Sequence, residues 1–445
     1  MDIAVFRSAF FGWKVVATAF VVAMFAWGTG FYGLSVFLDA LHRDRGWSVS
    51  VISAAITVHF LFSAVIVAHL AEVHRRFGIA SVTRAGVAAL AVGVLCWSLA
   101  GQPWELFGAA VLTGAGWAAT SGAAINAMVS PWFGRRRAIA LGHAFNGGSV
   151  GGVLFTPLWI ALIARVGFVG AASLIGGVML VVLWPLTGRY LAATPESLGL
   201  APDGDPASAF AASDRSNRLA MSLASLLRDR RFVTMAIAFA LGLFAQIGLV
   251  VHLVTRLAPV FGAGGAAAAV SLATACAVIG RLLLGVLFGD ADRRFLAMGN
   301  FAMQACGVAC LALGANAVLL LLGCVLFGLG VGNLVSLPPL IAQREFAPAD
   351  VPRVVALITA INQAVFAFAP GIFGILRQAS GGYAVPFLIA AAIQVIAGAI
   401  IIQGRAHPGA PALRHLGSAS TAPRSSPRTA TAPRRLPACR HRAWC

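Results

Sequence analysis

Twelve long apolar stretches constrain this chain more than any other feature of its sequence. Each has about the 20 residues that an α-helix needs to cross the ~30 Å hydrocarbon core of a bilayer. Since lipid leaves no partner for free backbone N–H and C=O groups, runs of this length must be helices. The stretches are approximately 15–38, 49–71, 79–100, 105–129, 138–164, 168–188, 232–255, 266–289, 295–316, 318–342, 354–376 and 383–403. The sequence therefore predicts an all-α membrane protein with twelve transmembrane helices.

Charge is scarce, and its placement predicts orientation. Only 10% of residues are charged and 60% are hydrophobic, which excludes an ordinary soluble domain. Five basic residues lie in the odd-numbered gaps between stretches: Arg43, Arg45, Arg165, Arg256 and Arg377. Many more lie in the even-numbered gaps: Arg75, Arg76, Arg84, Arg135, Arg136, Arg137, the arginines of 189–231, Arg293, Arg294, Arg344 and Arg353. This bias predicts that both termini are cytoplasmic. The net charge of +18 thus sets topology, and we expect no nucleic-acid partner.

The stretches divide into two sets of six. The division predicts an N-terminal half (1–190), a polar cytoplasmic linker (191–231), a C-terminal half (232–404) and a disordered basic tail (405–445). Within the linker, Met221 to Leu227 are predicted to form a short surface helix. Two six-helix halves are typical of transporters with a substrate site between them near the midplane. With Lys14 as the sole lysine among many arginines, we expect a bacterial inner-membrane protein, and we expect a monomer.

Few residues are suited to catalysis or metal binding. Five of the seven cysteines lie inside apolar stretches, with no histidine or acidic residue beside them. The chain has no HExxH motif and no pair of intramembrane aspartates. We therefore expect no metal, no cofactor and no enzymatic activity.

Charged motifs follow the second and eighth stretches. They are Ala68-His-Leu-Ala-Glu72 with Arg75 and Arg76, and Gly285-Val-Leu-Phe-Gly-Asp290 with Asp292, Arg293 and Arg294. They are similar to degenerate copies of the acidic-then-basic motif of the major facilitator superfamily, which the chain resembles over nearly its whole length outside the tail. The resemblance implies a charge clasp between helix ends that favours the outward-facing state. Ordinary interfacial charge is the alternative.

Further motifs resemble one branch of that superfamily, the monocarboxylate porters and oxalate–formate antiporters. They are Gly12-Trp-Lys14, Phe31-Tyr-Gly-Leu-Ser-Val-Phe37 with Gly46-Trp-Ser48, Pro131-Trp-Phe-Gly-Arg-Arg-Arg137, Gly147-Gly-Ser-Val-Gly-Gly152, His252-Leu-Val254 and Gly280-Arg-Leu-Leu-Leu-Gly285. Animal monocarboxylate porters have a lysine in the first helix and an aspartate one turn before the arginine of the eighth. Tyr32 and Ala277 occupy those places here.

Arg281 is the strongest candidate for a substrate contact, because it lies about fifteen residues inside the eighth stretch. A guanidinium there costs ~3 kcal/mol on insertion scales and must face the interior with a partner. All fourteen acidic residues lie in loops, tails or stretch ends, so a substrate anion is the predicted partner. The planar guanidinium of Arg281 can donate two parallel hydrogen bonds to a carboxylate, and a single internal charge favours a monovalent anion over a dianion. Capping of helix carbonyls beside a wet cavity is the alternative.

Histidines, amides and one tyrosine complete the candidate set. His252 is predicted to contact substrate or a coupling proton, and His59 and His143 are further candidates for proton coupling. Tyr32, Asn126, Asn362 and Gln363 are candidate substrate contacts, and Asn146, Gln246 and Asn333 are further buried amides that can also bond between helices for packing alone.

The expected function is secondary transport of a small organic anion, a monocarboxylate by preference, by alternating access. The expected partners are that anion, the lipid bilayer and protons as a coupling ion. An efflux transporter of a neutral or drug-like solute and a transport-inactive sensor of the same fold stay open as alternatives, because the sequence does not distinguish them.

Overall fold

The helices account for all twelve predicted stretches. The computed structural model describes residues 10–204, 221–287, 292–347 and 350–405, apart from the side chains of residues 138, 284–287 and 352. Over this part of the chain, nine helices are long and apolar enough to cross a membrane. Two of the nine each contain two predicted stretches, and the fourth stretch is divided into two shorter helices. The twelve predicted transmembrane helices are therefore all present.

The first half contains seven helical segments. They are α1 (Phe11–Gly30), α2 (Tyr32–Arg45), α3 (Val49–Phe77), α4 (Ile79–Leu99), α5 (Glu105–Thr120), α6 (Gly122–Val129) and α7 (Arg137–Tyr190). The end of the bundle at which α1 begins and α7 ends is called the base, and the opposite end the top. Because α1 with α2, and α5 with α6, each make one interrupted span, the seven segments cross six times.

The linker and second half follow with eight segments. They are α8 (Leu223–Arg228), α9 (Arg230–Leu287), α10 (Arg293–Leu313), α11 (Ala317–Val331), α12 (Asn333–Glu345), α13 (Val351–Phe366), α14 (Ala369–Ser380) and α15 (Ala384–Gln403). The short α8 lies where a surface helix was predicted. The predicted tail disorder falls on residues that, after Arg405, lie outside the described part of the chain, and so does Asp290.

Glycine makes the tight turns at the top of the two longest helices. Gly167 in α7 has φ 70° and ψ 171°, and Gly262 in α9 has φ 68° and ψ 174°. A positive φ with extended ψ is almost confined to glycine, because a Cβ would clash with the backbone. Each turn reverses the chain with no intervening loop, so α7 and α9 are pairs of antiparallel spans.

Four spans are interrupted rather than continuous. The interruptions lie at Phe31, Ser121, Gly332 and the Ala367–Phe368 step. Pro370 follows the last of these in the first turn of α14, where its missing N–H costs no helix bond. Interruptions free backbone groups that must find other partners in a membrane, so they are tolerated where protein or a cavity surrounds them.

Packing within each half leaves a single seam between the halves. In the first half α1 packs on α7 and α4 on α5, while in the second half α10 packs on α15 and α9 on α11. The seam is formed by α7 against α9, α3 against α14, and α2 against α9. Glycines allow the closest approaches in the first half: a Cβ on Gly147 or Gly151 would overlap the α1 backbone at Phe20 or Met24.

The linker is attached to both halves. The carboxylate of Asp203 accepts hydrogen bonds from the backbone N–H groups of Gly134 (3.0 Å), Arg135 (2.7 Å) and Arg136 (3.3 Å), before α7. At its other end, the Met221 N–H donates to Asp350 (2.7 Å) and Arg353 donates to the Met221 carbonyl (2.9 Å). Each contact is made on the connection between the fourth and fifth spans of one half.

Candidate functional site

Arg281 lies on the seam and bonds to the opposite half. Its Nη1 donates to Asn146 Oδ1 (2.9 Å) and its Nη2 donates to the Ser149 hydroxyl (3.5 Å), both on α7. The guanidinium is partly buried, and its Nε–H is buried without a hydrogen-bond partner. In this part of the chain its hydrogen-bonding partners are neutral, so the charge of Arg281 is solvated by dipoles rather than balanced by an acid.

Gly332, at the interruption between α11 and α12, forms one wall beside Arg281. A Cβ on Gly332 would lie 2.9 Å from Nη2 and 3.1 Å from Nε of Arg281, so the guanidinium rests on the glycine. The Gly332 carbonyl accepts from the Ser336 hydroxyl (3.1 Å). Any larger residue at 332 would have to displace the arginine.

Two amides hold the chain at this interruption. Asn333 Nδ2 donates to Asn300 Oδ1 (3.0 Å) and to the Leu329 carbonyl (3.2 Å). Asn300, on α10, donates to the Gly330 carbonyl (3.3 Å). Both amides are about 4% exposed, and Asn333 Oδ1 has no partner. The sequence reading missed Asn300, although an amide inside an apolar span was the signal that could have found it.

Tyr32 reaches the same place from the first half. It begins α2 after the interruption at Phe31, is 7% exposed, and has its hydroxyl beside Thr274 and the charge of Arg281. A Cβ on Gly152 would overlap both the Thr274 methyl and the Tyr32 ring. Tyr32 and Thr274 thus lie together near Arg281, and Gly152 of α7 packs against both.

A small apolar cavity adjoins these residues. Its free volume of about 10 Å³ is that of about one water-sized sphere. Tyr32 and Thr274 line it together with apolar side chains: Val250, Leu253, Val270, Ala273, Phe327 and Val331. A cavity of this size is too small to hold an organic anion.

His252 lies in a different layer of the seam. It is 10 residues before the Gly262 turn and Arg281 is 19 residues after it, so His252 lies roughly 13 Å nearer the top at 1.5 Å per residue. Its Nε2 is 3.2 Å from the Pro370 carbonyl and 3.4 Å from the Ser53 hydroxyl, and its Nδ1 is 3.3 Å from the Tyr383 hydroxyl. Because a carbonyl only accepts, Nε2 carries the proton and Nδ1 accepts from Tyr383. The neutral imidazole is thus fully bonded.

Other polar bonds join the halves around His252. Thr57 of α3 accepts from the Gly371 N–H (2.8 Å), and Ser50 bonds to Gln378. A Cβ on Gly374 would lie 2.7 Å from the Ser53 Cβ, so α3 and α14 touch closely. We call this cluster the upper contact and the cluster around Arg281 the lower contact.

The remaining amide candidates lie at three different places. Gln363 bridges the halves by donating to the Ser63 hydroxyl (3.2 Å). Asn362 is 6% exposed and its Oδ1 is buried without a partner. Asn126 is exposed and accepts from Ser130 (3.0 Å) and Arg137 (3.5 Å) near the base, with no bond to Arg281. The substrate contacts predicted for these amides stay predictions.

The other two histidines lie away from both contacts. His59 is fully buried inside the first half, where its Nδ1 is 2.9 Å from the Thr113 hydroxyl. That hydroxyl is 3.1 Å from the Ala109 carbonyl, to which it donates, so His59 Nδ1 is the donor. His143 is exposed beside Trp13, with the rings 6.1 Å apart. Proton coupling through either stays a prediction.

The residues predicted to form charge clasps bond within their own halves. Arg75 donates to Glu72 (2.9 Å) in the last turn of α3, and Arg76 lies over the Phe77 ring. Arg294 is 1% exposed and donates to both carboxylate oxygens of Glu345 (2.7 and 2.8 Å). Arg294 also donates to Thr234 (2.9 Å) and to the carbonyls of Ile401 (2.7 Å) and Arg231 (2.7 Å), joining four spans at the base of the second half.

Asp292 and Arg293 lie at the start of α10. The Asp292 side chain caps this helix by accepting from the Arg294 N–H (2.9 Å), and it pairs with Arg405 (2.7 Å). Partial burial raises the pKa of Asp292, but the hydrogen bonds from Arg294 and Arg405 outweigh burial and hold that pKa below its usual range. Arg293 is the first residue of α10. A gating role for Glu72, Arg75, Arg76, Asp292, Arg293 and Arg294 stays a prediction.

Comparison with known proteins gives one consistent fold. The family model of the Major Facilitator Superfamily matches residues 16–350. The chain is 26% identical to human monocarboxylate transporter 11 over 420 residues, which are 88% of this chain and 82% of that protein. It is 33% identical to mouse monocarboxylate transporter 3 over 177 residues, which are 38% of this chain but only 34% of the mouse protein.

Solved structures are similar in fold at low identity. A crystal structure of a mutant of the nucleoside transporter NupG superposes with a TM-score of 0.67 at 12% identity, covering 88% of this chain and 99% of that one. A bacterial homologue of the human lysosomal transporter Spinster, in an inward-facing and occupied conformation, gives a TM-score of 0.65 at 14% identity, covering 90% and 100%. These likenesses concern the arrangement of helices.

Proposed function

Because this chain belongs to the major facilitator superfamily, we propose that it is a secondary transporter of a small organic anion of the monocarboxylate class. The chain is a multi-pass membrane protein with a small-molecule substrate, as that family implies. The single observation that carries the proposal is Arg281: a guanidinium on the seam between the halves that, among the described residues, is bonded to neutral groups alone.

The chemistry of Arg281 favours an anion. A partly buried guanidinium inside a membrane protein lacks the water that would solvate it, and Asn146 and Ser149 replace only part of that solvation. A carboxylate can take two parallel N–H bonds from the fork and balance its charge. With one cation and no acid bonded to it, the lower contact matches a single negative charge better than two or none. The similarity to monocarboxylate transporters supports the same class.

The position of Arg281 suits alternating access. Its present partners lie on α7, in the half opposite to its own, so a substrate that takes over the Nη groups would replace a bond between the halves. The substrate would thereby weaken the lower contact as it binds. With the upper contact formed, the binding level would communicate with the base, which we assign to the cytoplasm of a bacterial cell from the distribution of arginines. Opening of the upper contact would then expose the substrate site to the opposite side of the membrane.

Uptake by reconstituted protein tests the proposal. Liposomes that contain the purified protein are filled with unlabelled anion, and radiolabelled acetate, lactate or benzoate is added outside. We expect wild-type protein to exchange at least one of them and Arg281→Ala to exchange none. Arg165→Ala, which removes an exposed arginine near the top, is the matched control and should behave as wild type.

Three outcomes would contradict the proposal. Equal exchange by wild type and Arg281→Ala would remove the arginine from substrate binding. Binding of an anion by the wild-type protein without any exchange would indicate a sensor of the same fold, while exchange of neutral solutes alone would indicate a different transporter.

A further inference from the structure

Arg281 and Asn333 each have one unused hydrogen-bonding atom beside Gly332. Arg281 Nε is a buried donor without a partner, and Asn333 Oδ1 is a buried acceptor without a partner. Nε lies 3.1 Å from the position that a Cβ on Gly332 would take, and Asn333 is the next residue along the chain. An unpaired polar atom buried in a membrane protein costs free energy, so a buried donor against Gly332 and a buried acceptor on the next residue call for an explanation.

The orientation of the Asn333 amide follows from its neighbours. The Leu329 carbonyl can only accept, so the Asn333 atom that faces it at 3.2 Å must be the NH₂ group. The same reasoning fixes Asn300, whose NH₂ group faces the Gly330 carbonyl at 3.3 Å and whose oxygen therefore faces Asn333. With both NH₂ groups committed, the free atom of Asn333 is its oxygen, which is an acceptor.

The free edge of Arg281 is equally determined. A guanidinium has five N–H donors in a rigid plane, and here the Nη groups face Asn146 and Ser149 on α7. A substrate carboxylate that displaced Asn146 and Ser149 would bind the two Nη groups, and the guanidinium plane would then turn away from α7. Nε–H is then the donor that remains available to a neighbouring acceptor of the second half.

We propose that Asn333, held in place by Asn300, is a positioning residue for Arg281. When a substrate carboxylate takes the Nη groups, the Asn333 oxygen accepts from Arg281 Nε–H and fixes the plane of the guanidinium. The interruption at Gly332 makes this feasible, because the glycine leaves the arginine in direct contact with the backbone. The inference rests on the proposed function, since it assigns a partner to the arginine that binds the anion.

The test separates positioning from folding. KM and the maximal rate of exchange are measured in liposomes, and melting temperature in detergent, for wild type, Asn333→Ala and Asn333→Ser. We expect KM to rise about tenfold in Asn333→Ala, the loss typical of a hydrogen bond to a charged group, while the maximal rate per folded protein stays within about twofold. Asn333→Ser, which keeps an acceptor on a shorter side chain, should recover part of the lost affinity.

Gln394→Ala is the matched control. Gln394 is another fully buried amide of the second half, it donates to the Gly242 carbonyl (3.2 Å) and to Gln304 (3.3 Å), and its oxygen also lacks a partner. It lies on α15, and its hydrogen bonds go to neither Arg281 nor Asn333. We expect this variant to lower the melting temperature without raising KM.

The outcomes distinguish the inference from the function on which it rests. If Arg281→Ala abolishes exchange and Asn333→Ala has a wild-type KM, the positioning role is wrong and the anion site stands. A lower melting temperature with unchanged KM would make Asn333 a packing residue only, which also overturns the inference. If no acid of the panel is exchanged by the wild type, the proposed function and the positioning role both fail.

Discussion

The upper and lower contacts join the same two halves by different chemistry. In the upper contact, the bonds that join the halves are made by neutral groups and the histidine has a partner at each ring nitrogen, while the nearby cation, Arg377, lies over the ring of Tyr383 in its own half (5.7 Å). In the lower contact, a cation meets neutral groups and one of its donors has no partner. A fully bonded neutral contact gains nothing from a ligand, whereas an under-bonded charged one does. We therefore propose that the upper contact seals the top and that the lower contact binds the substrate.

Changing the chemistry of the lower contact should have the largest effect. Arg281→Lys keeps the charge but replaces a planar fork by a point charge that cannot donate two parallel bonds to a carboxylate. We expect anion affinity to fall by about 100-fold, which corresponds to roughly 2.7 kcal/mol. Isothermal titration of the purified variant measures the loss. A wild-type affinity would mean that charge alone, without the fork, holds the substrate.

Removing the histidine of the upper contact should change conformation rather than binding. His252→Phe leaves the Pro370 carbonyl and the Tyr383 hydroxyl without their partner, at a cost of about 1–3 kcal/mol to the closed top. We expect the cysteine introduced by Thr57→Cys to react about tenfold faster with a polar maleimide when His252→Phe is also present than when it is absent, as measured by mass spectrometry. Anion affinity lost together with closure would instead place His252 in the binding site.

Two glycines allow the contacts to be opened one at a time. Gly374→Val should push α14 away from Ser53 in the upper contact, and Gly152→Val should push α7 away from Thr274 in the lower one. We expect Gly374→Val to lengthen spin-label distances across the top and shorten those across the base, and Gly152→Val to do the reverse, each by a few ångströms. The same change in both variants would show that the contacts are not independent.

Acid should weaken the packing at the base of the second half. Burial raises the pKa of Asp229, but the hydrogen bonds from Arg231 outweigh burial and hold that pKa below its usual range. A lowered pKa in the folded state stabilises the protein above the ordinary value of about 3.9, and this stability is lost as pH falls through the folded pKa. We expect Asp229→Asn to lower the free energy of unfolding by about 1 kcal/mol at pH 7. We also expect the melting temperature of this variant to fall less than that of the wild type as the pH is lowered. An equal fall in both proteins would contradict this assignment.

Sequence was sufficient for the spans but not for the pairing of side chains. Apolar length alone located the twelve helices, and the lack of an internal acid singled out Arg281. The bond from His252 to Ser53 joins residues 199 positions apart, and that from Arg294 to Glu345 joins residues 51 apart, so neither could be read from local spacing. Arg294 was therefore expected at a clasp between helix ends, while the structure places it in a buried cluster within one half. Gly332 and Asn300 acquire meaning only once α11 and α12 are seen to separate beside the arginine.

The most direct test of the account is ligand-induced stabilisation of the purified protein. Wild type and Arg281→Ala are melted with small mono- and dicarboxylates at pH 5.5 and 7.5, because a ligand that binds the folded state raises the melting temperature by mass action. The account predicts that at least one monocarboxylate stabilises the wild type more than any dicarboxylate does, and that this stabilisation is absent in Arg281→Ala. Equal stabilisation of the two proteins, or none by any anion, would contradict it.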